Sequence, residues 1–127
     1  EPSEEWVAVF SETYDKSDWR STKSTSVAVV HHRRSGIRPP PLRVALSLTD
    51  EQGRFVTSRN ITLRWGEAMG VTLAELFGDS MFPDKRDFVG TLRVEVANPP
   101  GVVSVAVFQT AGGTLSSIVV SPIIKRP

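Results

Sequence analysis

Short apolar runs broken by turn residues recur along the chain, and most of them alternate. Leu42, Val44, Leu46 and Leu48 interleave with Arg43, Ala45, Ser47 and Thr49, the period of two that marks a strand with one buried face. Residues 55–65 repeat the pattern, with Ile61, Leu63 and Trp65 on one side and Thr62 and Arg64 on the other. Asp50-Glu-Gln-Gly53 between them predicts a hairpin turn. Residues 6–10 and 25–30 are further β-prone segments. In the C-terminal third, Leu92, Val94 and Val96 oppose Thr91, Arg93 and Glu95. Val103, Val105 and Val107 alternate with Ser104, Ala106 and Phe108, so residues 102–108 have few polar positions on either face and read as a central strand. Asn98-Pro-Pro-Gly101 and Ala111-Gly-Gly113 separate these two runs and residues 115–120, which predicts a β-meander.

One segment departs from period two. Thr72-Leu-Ala-Glu75 has the capping-box spacing, followed by Leu76, Phe77 and Gly78, and predicts a single short helical turn near 72–77; a strand entering that turn is the alternative. Residues 11–24 are polar apart from Tyr14 and Trp19 and read as a long loop, a length that in compact domains often serves binding or assembly. Residues 35–41 carry three consecutive prolines, which cannot donate to a ladder. Seven to eight strands at regular spacing predict an all-β, antiparallel β-sandwich. Residues 25–127 form its core. Residues 1–24 are an N-terminal strand plus long polar loop, read as an assembly segment whose strand either pairs at home or joins a neighbour's sheet edge.

The length of 127 residues suits one domain, large enough to bury about two-thirds of its unfolded surface. The net charge of +1 argues against binding dominated by nucleic acid or an anionic membrane. With no cysteine, a disulfide framework, a thiolate zinc site and thiol catalysis are excluded. No apolar run approaches the ~20 residues of a helical membrane span.

The residues Leu46-Ser-Leu-Thr-Asp-Glu-Gln-Gly53, Ile61-Thr-Leu63, Val71-Thr-Leu-Ala-Glu-Leu-Phe77 and Phe88-Val-Gly-Thr-Leu-Arg-Val94, with residues 103–107, 114–115 and 119–122, resemble the immunoglobulin-like β-sandwich modules of bacterial secreted and surface proteins. The resemblance covers about residues 25–122 and consists of core and turn positions. It implies a non-enzymatic spacer, adhesion or assembly domain at an extracellular, cell-surface or periplasmic location. Residues 11–24 and the arginine-rich proline loop depart from a minimal module of this kind.

Candidate chemistry is sparse. His31 and His32 are adjacent, so on a strand they face opposite ways and cannot readily share a metal ion; they read as a solvated strand end. His31, His32, Arg33, Arg34, Arg38 and Arg43 form a basic run with no acid among positions 31–49, able to grip a carboxylate, a phosphate or an acidic partner surface. The alternative is a solubilising loop. Tyr14 and Trp19 are the accessible-aromatic candidates for a protein hot spot or sugar stacking, while Trp6 and Trp65 read as core. The candidate partner-binding residues are therefore Arg33, Arg34, Arg38, Trp19 and Tyr14. No catalytic, metal or cofactor set is assigned. The expected function is a non-catalytic structural or interaction module that binds a protein partner or itself; the alternative is a carbohydrate-binding module using exposed aromatics.

Overall fold

The best-patterned runs become strands with their parity intact. A computed structural model of the chain describes residues 3–13, 22–31, 41–64, 67–78, 87–97 and 103–123. Among them are nine strands and one helix: β1 (Ser3–Thr13), β2 (Lys23–His31), β3 (Leu42–Asp50), β4 (Phe55–Leu63), β5 (Ala68–Thr72), α1 (Leu73–Phe77), β6 (Asp87–Ala97), β7 (Val103–Ala111), β8 (Thr114–Ile118) and β9 (Ser121–Ile123). The class is all-β, and every strand pairing is antiparallel.

Hydrogen bonding runs through one sheet in the order β4-β3-β6-β1-β2-β7-β8, with β5 added to β2 and β9 to β1. Among the described residues, β1 and β2 share the pair Thr13↔Lys23. Beyond it the strands part and each takes other neighbours. The sheet thus has two wings, β4-β3-β6-β1-β9 and β5-β2-β7-β8. Even-numbered residues of β1, β3 and β6 and odd-numbered residues of β2 point inward. Ala8, Phe10, Val27, Val29, Leu42, Val44, Leu46, Leu48, Leu92, Val94, Val96 and Val107 share one buried cluster, joined by Leu63, Leu73 and Leu76.

Two turns form as their residues dictate. Asp50 Oδ1 accepts the backbone N–H groups of Gln52 and Arg54, each at 2.9 Å, fastening the β3–β4 hairpin. The β7–β8 hairpin has a two-residue loop, since Ala111 pairs with Thr114. Gly112 and Gly113 have φ of 57° and 83°. Two successive positive φ values match the twist of a tight hairpin, and glycine adopts them without steric cost.

The helical turn forms as predicted, and the strand alternative holds as well, because β5 leads directly into α1. Thr72 is the N-cap: its Oγ1 accepts from the Glu75 N–H at 3.1 Å, and Gly78 ends the helix. Arg59 of β4 donates from Nη1 to the Leu76 carbonyl at 2.9 Å, so α1 ties β4 of one wing to β5 and β2 of the other.

The meander is corrected. β6 pairs with β1 and β3, whereas β7 pairs with β2 and β8, so the two strands that flank Asn98-Pro-Pro-Gly101 lie in different wings. Two consecutive prolines withhold two donors and restrict φ, which suits a crossing connection better than a tight hairpin. β7 is nonetheless interior to the sheet, as its apolar alternation implies. The polar segment is also shorter than residues 11–24, because β1 runs to Thr13 and β2 begins at Lys23. Trp6 to Phe10 pair at home, residue by residue, with Val94 to Gly90 of β6.

Candidate functional site

Of the residues singled out above, Tyr14, Trp19, His32, Arg33, Arg34, Arg38 and Trp65 lie outside the described residues. Trp6 is half-buried and packs against the core. The reading of His31 as a solvated strand end is corrected: it closes the inward face of β2, fully buried, with its backbone N–H donating to Glu67 O at 3.1 Å. Inward parity decides its burial, since Val27 and Val29 precede it on the same side. Arg43 belongs to β3 and is exposed on the outward face.

That outward face of the first wing is the best-defined surface for function. The register sets its residues in rows across the strands. Thr62 lies opposite Arg43. The next row runs Asn60, Ala45, Glu95, Glu5. Ser58, Ser47, Arg93 and Val7 follow, and then Thr49, Thr91 and Val9. A register shift after Leu48 brings Phe55 opposite Thr49, leaving Phe55 exposed while Val56 packs on the core. Small side chains (Ala45, Ser47, Thr49, Ser58, Thr91) keep the middle of the face shallow.

The two ends differ chemically. At the polar end, Arg93 Nη1 lies 3.8 Å from Glu5 Oε1 across the β1–β6 ladder, with Glu5 buried and Arg93 half-exposed. Beside this pair, Arg43, Ala45, Asn60, Thr62 and Glu95 line a recess of about 240 Å³. Ala45 creates it, a methyl group set between the longer Asn60 and Glu95 side chains of its own row. At the apolar end, Val9 and Val89 are 67% and 39% exposed. With Phe10, Ser11, Gln109 and Ile118 they line a second recess of about 320 Å³.

This second recess follows from how β1 is bonded. β9 pairs with residues 5–7 of β1, and β2 meets β1 at Thr13, which leaves a notch between them. Side chains link β1 to β2 and β7 there. Gln109 Nε2 donates to the Ser11 carbonyl at 2.7 Å, and Lys23 Nζ donates to Ser11 Oγ at 2.6 Å. Glu12 Oε1 accepts the Thr25 N–H at 2.9 Å. Pro122, opposite Trp6, needs no ladder donor in the short edge strand β9.

Sequence reasoning missed both recesses. Period two assigned Arg43, Ala45 and Glu95 to outward faces, but it carries no information on which strands become neighbours.

Comparison with known proteins bears on the fold. No protein-family model matches the chain, and no curated protein matches it. The fold is similar to the crystal structure of Thermotoga maritima 1070, with a TM-score of 0.61 over 94% of this chain and 89% of that one. Identity between the two is 10%, so the likeness is one of fold and carries no site with it.

Proposed function

We propose that this chain is a non-catalytic, extracytoplasmic structural or interaction module, an accessory subunit or assembly domain that joins other protein through the outward face of its first wing. The observation that supports this most is the exposure of Val9 and Val89, neighbours in space, beside the recess that Gln109 and Ile118 help to line. Contiguous exposed apolar side chains with a polar surround are characteristic of protein contact sites. The finer architectural reading, an immunoglobulin-like sandwich of secreted or surface proteins, belongs to the same proposal. It draws support from two wings whose inward faces share one core.

The test is molar mass by light scattering across a concentration series, for the natural chain and for a Val9→Asp/Val89→Asp variant. A mass that rises above the monomer in the natural chain and stays monomeric in the variant, with unchanged circular dichroism, is expected. Identical monomeric behaviour of both at every concentration would overturn self-assembly through this face.

A further inference from the structure

The second wing ends in an edge strand without the usual protection, and this edge is distinct from the face proposed above. Among the described residues no strand lies beyond β8 in the sheet order. Thr114 to Ser117 are all exposed, Leu115 at 66%, and Val119 just past the strand is 82% exposed. Sheet edges are ordinarily blunted by charge, proline, a bulge or a covering element. The other edges carry such devices: β4 has Arg59 and the β3–β4 register shift, β9 has Pro122, and β5 runs straight into α1. β8 has none of them. Residues 96–124 contain no charged side chain, in a chain that is 23% charged.

The hairpin turn fixes which backbone groups face outward. Ala111 and Thr114 flank a two-residue loop, and such a loop closes on a hydrogen-bonded pair. Pairs alternate along an antiparallel ladder, so Gln109 and Ser116 exchange bonds, whereas Leu115 and Ser117 turn their N–H and C=O groups away from β7. The edge thus offers two donor–acceptor sets, two residues apart, and is its own complement about a two-fold axis at Ser116. In that register Leu115 of one copy faces Ser117 of the other, and the two such pairs exchange about four backbone bonds in all. Each Leu115 lies opposite a small serine and diagonal to the other Leu115, so apolar side chains meet and no charge meets a like charge. We infer that β8 pairs antiparallel with β8 of a second copy of this chain, centred on Ser116. Five residues a side bury much less than the ~1,200 Å² of a stable interface. The contact is therefore transient by itself and leaves dilute chain monomeric by mass.

The chain has no cysteine, so single cysteines in the full chain capture the pairing directly. At Ser116 the two-fold axis sets the Cα atoms about 4.5 Å apart, within the roughly 4.4–6.8 Å that a disulfide spans. Under oxidised glutathione, Ser116→Cys should form a covalent dimer about tenfold or more faster than two exposed controls, because pairing raises the effective thiol concentration. The controls are Thr114→Cys, which in this register faces Ile118, and Glu51→Cys in the β3–β4 turn. Adding Ser117→Pro removes an outward N–H but no bond to β7, and should abolish the advantage of Ser116→Cys. Adding Leu115→Lys should do the same by setting like charges on the diagonal. Circular dichroism identifies any variant that fails to fold. In the Val9→Asp/Val89→Asp background Ser116→Cys should keep its advantage over Glu51→Cys, which separates this contact from the first-wing face. Equal rates at positions 51, 114 and 116 would overturn the inference. So would an advantage at Ser116 that survives both Ser117→Pro and Leu115→Lys, or one that vanishes with Val9 and Val89 replaced.

Discussion

The Glu12 carboxylate accepts the backbone N–H of Thr25 at 2.9 Å, and both residues are fully buried. This bond sits where β1 and β2 separate after their shared pair Thr13↔Lys23. Had the two strands stayed paired, the Thr25 N–H would have faced a β1 carbonyl. Because they part to serve different wings, a side chain takes the place of the missing ladder acceptor. A buried donor must find a partner, and a carboxylate from the departing strand supplies it.

Glu12→Ala should therefore destabilise the fold by about 1–3 kcal/mol, the cost of leaving a buried N–H unsatisfied. Glu12→Gln retains an acceptor at the same place and should cost less. Urea unfolding of the two variants checks the order. Faster hydrogen exchange at Thr25 in Glu12→Ala locates the effect, and equal stability of both variants with the natural chain would refute it.

Gly90 is a close-packing position. A Cβ there would come within 2.4 Å of the Thr49 carbonyl oxygen and 2.7 Å of the Phe88 ring. Gly90 lies opposite Phe10, and the Phe10 and Phe88 rings stack with centroids 5.8 Å apart. Gly90→Ala should cost about 1–3 kcal/mol, because the backbone oxygen and the stacked rings have little room to yield. Gly70→Ala, with nothing within 4 Å of the new Cβ, is the control and should leave the melting temperature close to that of the natural chain.

Asp50 links the β3–β4 turn to pH. Its carboxyl is held below the usual range chiefly by the Arg54 backbone N–H, with smaller contributions from the Gln52 N–H and the Arg54 charge. A folded-state pKa below the unfolded one stabilises the hairpin above the unfolded value, and that stabilisation is lost as pH falls through the folded value. The natural chain should lose melting temperature relative to Asp50→Asn on acidification below about pH 4. Above that range the difference between the two should be constant, and a parallel decline of both across the acid range would contradict the assignment.

Arg59 of β4 lies across from Leu46 and remains exposed, and its guanidinium reaches α1 and donates to the Leu76 carbonyl. Arg59→Ala removes this cap on the short helix and should cost about 1 kcal/mol. Its signature is local: hydrogen exchange should quicken in α1 while the amides of β6 stay protected. Uniform quickening across the sheet would argue against a local tie.

Sequence and structure part at identifiable residues. The capping box at Thr72 and Glu75, the Asp50 turn and the Gly112–Gly113 hairpin were legible because each is completed within a few residues. The faces of β3, β4 and β6 were legible because side-chain direction alternates strictly along a strand. The same rule places His31 inward after Val27 and Val29, although its histidine neighbour and the arginines beyond suggested a solvated end. Glu12 was hidden in a polar stretch, since nothing within thirteen residues announces that its partner is a backbone amide on another strand.

The amino-acid sequence by itself determined the all-β class, the positions of the tight turns, the single helical turn and the inward set of leucines and valines. These follow from local sterics and from the period of two. Only the tertiary structure decided that β6 joins β1 and β3 while β7 joins β2 and β8, and that Ala45 lies between Asn60 and Glu95 at a recess that Arg43 also lines. Antiparallel strands of similar Val/Leu alternation can pair in many orders with nearly equal local energy. The choice among them is made by how all the inward faces fill one core, a sum over contacts distant in sequence.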